Sequence, residues 1–147
     1  MPTAPNWNFG DVLDALDASY AASAPALIHD DAVTRWADFA RRSNNLAAQL
    51  RARGAAPDDK VGFYLRNRPE YVETLAACFK ARLVHVNVNY RYLDEELWYI
   101  FDNSDAKVVV FDGEFAERVA KLHARLPKVV AWVQVGGTPL DFSIPYE

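Results

Sequence analysis

The residues best placed to do chemistry follow one short strand. Residues 84–88 alternate Val84, Val86 and Val88 with His85 and Asn87, and Asn89 continues the polar row. Such alternation gives a strand one apolar and one polar face. Asn89, Tyr90 and Arg91 come directly after it. An amide, a phenol and a guanidinium can together hydrogen-bond a polar or anionic ligand. Open parallel sheets hold ligands at the carboxyl ends of their strands, which is where these three side chains would stand. The plainer reading is an edge strand with a wet face, and His85 by itself reads as a structural histidine.

The other candidate groups have simpler explanations. Asp11, Asp14 and Asp17 share a spacing that could hold a cation, but a solvated helix face accounts for them more economically. Asp30-Asp31 reads as a hairpin turn, because Asp bonds its own backbone and tolerates unusual dihedrals. Arg35, Arg41, Arg42, Arg51 and Arg53 read as a solvated face, with the last two favourable at a helix C-terminus. Cys78 has no His or second Cys near it in sequence and reads as a small core hydrophobe. His29, His85 and His123 lie far apart. Of six glycines only Gly136 and Gly137 are clustered, so there is no phosphate-cradling loop. GxSxG, HExxH, paired CxxC and EF-hand patterns are also absent. No catalytic or metal-ligating residue is identified, and the residues alone lead to an α/β domain of open activity.

The elements that must position Asn89, Tyr90 and Arg91 alternate in type. Residues 60–65, 84–88 and 107–111 are β-prone, and residues 69–82 and 93–102 have helical spacing. This succession predicts βαβ crossovers and a mostly parallel sheet with flanking helices. Residues 108–111 form a continuous apolar run, as expected of a strand covered on both faces. Before this unit, residues 1–8 are Pro-containing and irregular. Asn8 caps a helix with Asp11 in a capping-box position, and Phe9, Leu13, Leu16 and Tyr20 form its apolar stripe. A hairpin follows over residues 26–34. Thr34 is the expected cap of the next helix. Trp36, Phe39, Ala40, Ser43, Ala47 and Leu50 form its stripe, Arg42, Asn45, Gln49 and Arg53 lie opposite, and Gly54 ends it. After the unit, a helix over residues 115–126 and a strand over 129–135 are expected. The chain then runs through a loop to residue 147 with no further element.

Composition narrows the class. The chain has 147 residues, 51% of them hydrophobic, which suits one globular domain with a single core. A net charge of -4 gives no electrostatic footprint for nucleic acid. One cysteine rules out an internal disulfide and fits a reducing compartment. No apolar run reaches a membrane span of roughly 18 residues, and the first residues lack the pattern of a signal peptide. A cytoplasmic protein with no transmembrane segment is the expectation.

The order of several short motifs resembles the N-terminal part of AMP-forming acyl-CoA synthetases, in the adenylate-forming superfamily. Thr34-Arg35-Trp36-Ala37-Asp38-Phe39 resembles the family's Thr, aromatic, acid helix start. Asp59-Lys60-Val61 is similar to its Gly-Asp-x-Val, and Asn67-Arg68-Pro69-Glu70 to its Asn-x-x-Glu. Val86-Asn87-Val88-Asn89-Tyr90-Arg91, then Glu96-Leu97, resembles its Val-Asn-x-Arg before Glu-Leu. Asn103-Ser104-Asp105-Ala106 matches its Ser-x-Ala. The Asn-rich strand and the aromatic helix after it look closest to fatty-acyl or steroid-acyl ligases. Two departures stand out. Asp58 replaces the family's glycine, and Ala81-Arg82-Leu83 replaces Ala-Gly-Ala; both read as drift at loop positions.

The resemblance implies the fold of an N-terminal subdomain and a two-step reaction. A carboxylic acid attacks the α-phosphate of ATP, and the thiol of CoA then displaces AMP from the acyl-adenylate. It implies ATP, Mg²⁺ and CoA for the parent enzyme, a small-molecule acyl substrate, and the remainder of the same polypeptide as partner. It also implies that residues 1–147 are a partial AMP-binding domain. The phosphate loop and C-terminal domain of the family have no counterpart in these residues, so the chain is expected to be inactive alone and to hold none of these ligands tightly. Asn89, Tyr90 and Arg91 correspond to positions near the CoA channel. A stand-alone flavodoxin-like nucleotide- or flavin-binding domain, or a non-catalytic partner protein, are the alternatives.

Overall fold

The computed structural model describes residues 7–147; the expected irregular start falls largely on residues outside these. The order is α1 (Phe9–Ser19), β1 (Pro25–His29), β2 (Ala32–Arg35), α2 (Trp36–Ala52), β3 (Lys60–Tyr64), α3 (Pro69–Ala81), β4 (Val84–Asn87), α4 (Asp94–Asn103), β5 (Ala106–Asp112), a 3₁₀ turn (Gly113–Phe115), α5 (Ala116–His123), β6 (Ala131–Val135) and β7 (Ile144–Pro145). β1 and β2 form the antiparallel hairpin. The other five strands form one sheet in the order β4-β3-β5-β6-β7, with every neighbouring pair parallel.

Side-chain alternation along the strands feeds two cores. Val61, Phe63, Val108, Val110 and Val133 meet Leu46 and Leu50 of α2 and Ala77, Cys78 and Ala81 of α3 on one face. Tyr64, Val109, Phe111 and Trp132 meet Leu97 and Phe101 of α4 and Val119 and Leu122 of α5 on the other. The sheet is thus sandwiched between helices, as the continuous run Val108–Phe111 requires. α4 approaches β3 closely at Gly62, where a Cβ would stand 2.6 Å from the Phe101 ring. Cys78 is a fully buried core residue, and burial pushes its thiol pKa up.

Local signals explain most boundaries. Asn8 and Asp11 form the reciprocal capping box of α1. Asp30 turns the hairpin at φ 50°. Gly54 follows α2 at φ 97°. Thr34 is not the cap of α2: it stays in β2, paired with Leu27. The first N–H groups of α2 find backbone partners instead, Trp36 N donating to the Ala24 carbonyl at 2.8 Å and Ala37 N to Ala22 at 3.1 Å. α5 is shorter than the apolar spacing suggests, because Phe115 enters the core from a 3₁₀ turn. The segment after Val135, expected to be without structure, returns to form β7 beside β6.

Charge placement departs from the sequence reading in two places. The acids of α1 form a solvated face only in part: Asp14 stays exposed, but all three face basic side chains. Asp17 binds the buried Lys80 ammonium at 2.5 Å, Asp14 lies 3.5 Å from it, and Asp11 pairs with Arg82 at 3.2 Å. The apolar stripe is correspondingly split: Leu13 and Leu16 are half-buried, whereas Phe9 and Tyr20 are exposed. Arg42 also leaves the solvated face assigned to it. Its guanidinium binds Glu73, which is only 2% exposed, at 2.8 Å and Glu147 at 2.7 Å. The Tyr146 hydroxyl donates to the other Glu73 oxygen at 2.9 Å. Burial, then the charge and hydrogen bond of Glu73, push the Tyr146 phenol pKa up. An unpaired buried carboxylate is costly, so two donors on Glu73 are a structural requirement.

Asp58 and Arg82 occupy left-handed backbone, at φ 70° and 59°. These are the two positions where the resembled family carries glycine. A left-handed conformation costs an L-residue roughly 1–2 kcal/mol, less for Asp than for a β-branched residue. Asp58→Val is therefore expected to unfold at lower urea than Asp58→Gly, by about 1–2 kcal/mol, with Asp58→Gly at or above the parent chain. Equal midpoints for the two variants would refute the strain at this turn.

Candidate functional site

A cavity of about 570 Å³ opens at the carboxyl ends of β3 and β4. Asn67, Tyr71, Asn87, Asn89, Tyr90 and Tyr92 line most of it. Each is delivered by its place in the strand–loop–helix succession. Asn67 lies in the loop leaving β3, and Tyr71 in the first turn of α3. Asn87 is the last residue of β4, and the others follow in the loop to α4. Three carboxamides and three phenols make a wall of neutral donors and acceptors with aromatic faces, suited to amide, hydroxyl or flat ring groups.

The three residues singled out from the sequence behave differently. Asn89 and Tyr90 line the cavity; Arg91 does not. The Asn89 carboxamide accepts the Arg91 N–H at 3.0 Å, which fixes the turn. Arg91 and Arg66 both lie over the Tyr90 ring, at 5.6 and 4.6 Å from its centroid. Asn67, Tyr71 and Tyr92 are the lining residues that the sequence reading did not assign. The signal for Asn67 and Tyr71 is their place just after β3, the strand that pairs with β4. β4 is an edge strand, and its polar face is partly wet, with Asn87 exposed. His85 is structural: its ring meets Phe63 edge-on at 5.2 Å.

The loop is held from beneath. The Tyr64 hydroxyl is fully buried and lies 3.3 Å from the carbonyl oxygens of both Tyr90 and Tyr92. Arg118 donates to the same hydroxyl at 2.6 Å and to the Tyr92 carbonyl at 3.1 Å. Burial pushes the Tyr64 phenol pKa up, against the opposing hydrogen bond from Arg118. It remains a neutral donor and acceptor at ordinary pH.

A second crevice lies where the chain order reverses, between the ends of β3 and β5. Open α/β sheets commonly bind ligands at such a switch point. Here it is occupied by ion pairs. The Asp112 carboxylate, 3% exposed, accepts the Arg66 backbone N–H at 2.6 Å and a guanidinium hydrogen bond from Arg68. Arg68 also binds Glu70 at 2.8 Å, and Arg66 binds Glu114 at 2.5 Å. An incoming phosphate would meet three carboxylates whose cations are already engaged. This disfavours a flavodoxin-like nucleotide or flavin site. Among the described residues no three His, Cys, Asp or Glu side chains converge as metal ligands, so the residues present do not fit a Mg²⁺ site.

Removing Arg68 leaves Asp112 buried with one donor fewer, so Arg68→Ala is expected to lose about 2–3 kcal/mol by urea denaturation. A loss under about 0.5 kcal/mol, typical of a surface change, would sink this assignment. The pairs also set an acid limit. Burial by itself would raise the Glu70 carboxyl, but the Arg68 hydrogen bonds, with the charges of Arg68 and Arg42, hold it below its ordinary 4.5. A carboxyl depressed in the folded state stabilises it above the ordinary value, and that stabilisation is lost as pH falls through the folded value. Stability should therefore decline below about pH 4.5 and decline less steeply in Glu70→Gln. Identical acid profiles would contradict the pairing.

Comparisons with known proteins bear on the family and the fold. Residues 16–145 match the family described as AMP-binding enzyme. The chain is 44% identical over 119 residues to a 3-oxocholest-4-en-26-oate–CoA ligase of Rhodococcus rhodochrous, a match covering 80% of this chain and 21% of that one. It is 39% identical over 123 residues to a medium/long-chain-fatty-acid–CoA/3-oxocholest-4-en-26-oate–CoA ligase of Mycobacterium tuberculosis, covering 83% and 22%. Among solved structures, the acetoacetyl-CoA synthetase from Streptomyces lividans superposes with a TM-score of 0.84 at 25% identity, over 95% of this chain and 24% of that one. A Mycobacterium tuberculosis fatty acyl CoA synthetase, at 24% identity and TM-score 0.78 over 87% and 26%, shares the fold. The chain thus spans about a fifth of the length of the curated relatives it matches. Its sequence and its doubly covered parallel sheet place it in one group: the chain belongs to the AMP-binding enzyme family.

Proposed function

We propose that this chain is the N-terminal piece of an acid–thiol ligase. The whole enzyme would activate a carboxylic acid of the fatty-acyl or steroid-acyl class with ATP and transfer it to CoA. The observation that carries this reading is the match over residues 16–145 to a family whose similar members are named CoA ligases. In the first step a carboxylate oxygen bonds to the α-phosphorus of ATP and pyrophosphate leaves. In the second, the CoA sulfur bonds to the acyl carbon, its thiol proton is lost, and AMP leaves. Such steps are driven mainly by donors and a metal ion that stabilise developing negative charge. Residues 1–147 then form a partial AMP-binding domain, and the phosphate loop, the Mg²⁺ ligands and the mobile C-terminal domain belong to the remainder of the polypeptide. ATP, Mg²⁺ and CoA are ligands of the whole enzyme and bind this chain weakly if at all.

The contribution of this chain is a wall. Asn89 and Tyr90 border the cavity at the ends of β3 and β4, which supports assigning these two to the CoA channel; Arg91, assigned with them, lies over the Tyr90 ring outside the cavity lining. Tyr64 and Arg118 set the position of that loop by binding its carbonyls. No helix among the described residues is long and apolar enough to cross a membrane; with the lone cysteine, this supports a cytoplasmic setting for the enzyme.

The isolated chain is expected to form no AMP from ATP with any fatty acid and CoA. Grafted onto the Rhodococcus rhodochrous ligase in place of the matching segment, it should support AMP formation. In that chimera, Arg91→Ala should raise the KM for CoA several-fold while leaving the adenylation step, read by pyrophosphate release, unchanged. Turnover by the isolated chain, or a correctly folded but inert chimera, would overturn the reading.

A further inference from the structure

The first helix is attached to the body of the chain by charge more than by apolar burial. Only Gly10 of α1 is fully buried. Leu13 and Leu16 are half-buried, Phe9 and Val12 stay exposed, and α1 supplies no side chain to either core of the sheet. Three acids carry the contact instead. Asp17 and Asp14 bind the Lys80 ammonium of α3, and Asp11 binds the Arg82 guanidinium just beyond that helix. The Lys80 side chain is only 5% exposed. It also donates to the Asn44 carboxamide oxygen of α2 at 2.8 Å.

Two features make this attachment reversible. A helix of 11 residues is marginal by itself in water, so α1 keeps its shape largely through docking. Asp11 belongs to both processes, since its carboxylate accepts the Asn8 N–H of the capping box and the Arg82 guanidinium. The docking is also incompletely compensated. One carboxylate oxygen of Asp17 is buried with no hydrogen-bond partner among the described residues. A buried polar atom left in that state costs roughly 1–3 kcal/mol. Local opening is expected where few apolar contacts hold an element to the rest.

We propose that α1 is a charge-fastened strap, which releases from α3 as a unit while the sheet stays folded and thereby uncovers Lys80. Ionic strength sets the fraction released. Asp11, Asp14 and Arg82 are partly exposed and their pairs are screened by salt, whereas the buried bond from Lys80 to Asp17 is screened much less.

Two side chains of α3 distinguish local from global opening. Lys80 is open to acetic anhydride when α1 is off, and Cys78, fully buried in the core, is open to a maleimide when α3 leaves the sheet. Lys121, mostly exposed, gives the rate of an accessible amine. In the 147-residue chain at constant pH, Lys80 should be acetylated far more slowly than Lys121 in about 0.1 M sodium chloride. In about 1 M, where the screening length falls to roughly 3 Å, its rate should rise several-fold with Cys78 still unmodified. Asp17→Asn removes the buried charge facing Lys80 and should raise the Lys80 rate about tenfold or more. Gly10→Ala should do the same, although alanine favours the helix itself. The added Cβ would stand 2.5 Å from the Phe79 carbonyl oxygen and hold α1 off. Cys78 should remain protected in both variants. Modification of Lys80 and Cys78 together would mean that α1 leaves only when the whole chain unfolds, and overturns the strap. So does a Lys80 rate equal to that of Lys121 at low salt, or one indifferent to salt or to both variants.

Discussion

Val108, Val109, Val110 and Phe111 have no exposure on either side of the sheet, and the remaining elements can be understood as what is needed to keep water from them. Each such side chain contributes on the order of 1.5–3 kcal/mol when taken from water, provided that both faces are closed. α2 and α3 close one face and α4 and α5 the other. β3 and β6 flank the strand and take its hydrogen bonds. The same demand weakens toward the edges. β4 accepts a half-wet face. The polar cavity is thus an outcome of one constraint, met fully at the centre of the sheet and incompletely at this rim.

The central unit was legible because periodicity reports burial, and burial is what parallel strands have most of. The βαβ order, the doubly covered strand, the capping box at Asn8 and the role of Cys78 all follow from local pattern. What the pattern missed is tertiary in origin. Thr34 is a good cap by type, but backbone carbonyls at Ala22 and Ala24 already serve α2. Arg42 lies on a polar helix face, and only the fold brings Glu73 and Tyr146 to it. Asp11, Asp14 and Asp17 look solvated until α3 delivers Lys80 and Arg82 to them. β7 is two residues long and contains proline, too short and too atypical to announce itself.

The candidate site was half legible. Asn89 and Tyr90 came from alternation along one strand plus the rule that ligands gather at strand ends. Their neighbours Asn67 and Tyr71 come from a different loop, and pairing β3 with β4 is needed to bring them together. Arg91 carries the charge that suggested a ligand, yet the structure turns it onto an aromatic ring rather than into the cavity. The switch-point crevice shows the converse. It stands at the switch point of the sheet, and its arginines are engaged by three nearby carboxylates.

The bond between Arg42 and Glu147 joins residues 105 positions apart. As the chain emerges from the ribosome in order, α2 and α3 are complete long before Tyr146 and Glu147 exist. Through that interval Glu73 has Arg42 for a partner but lacks its second donor, and the end of the sheet beyond β6 stays unsealed. Tyr146 and Glu147 therefore act as a late fastening, and this face reaches its final form only after they have been made.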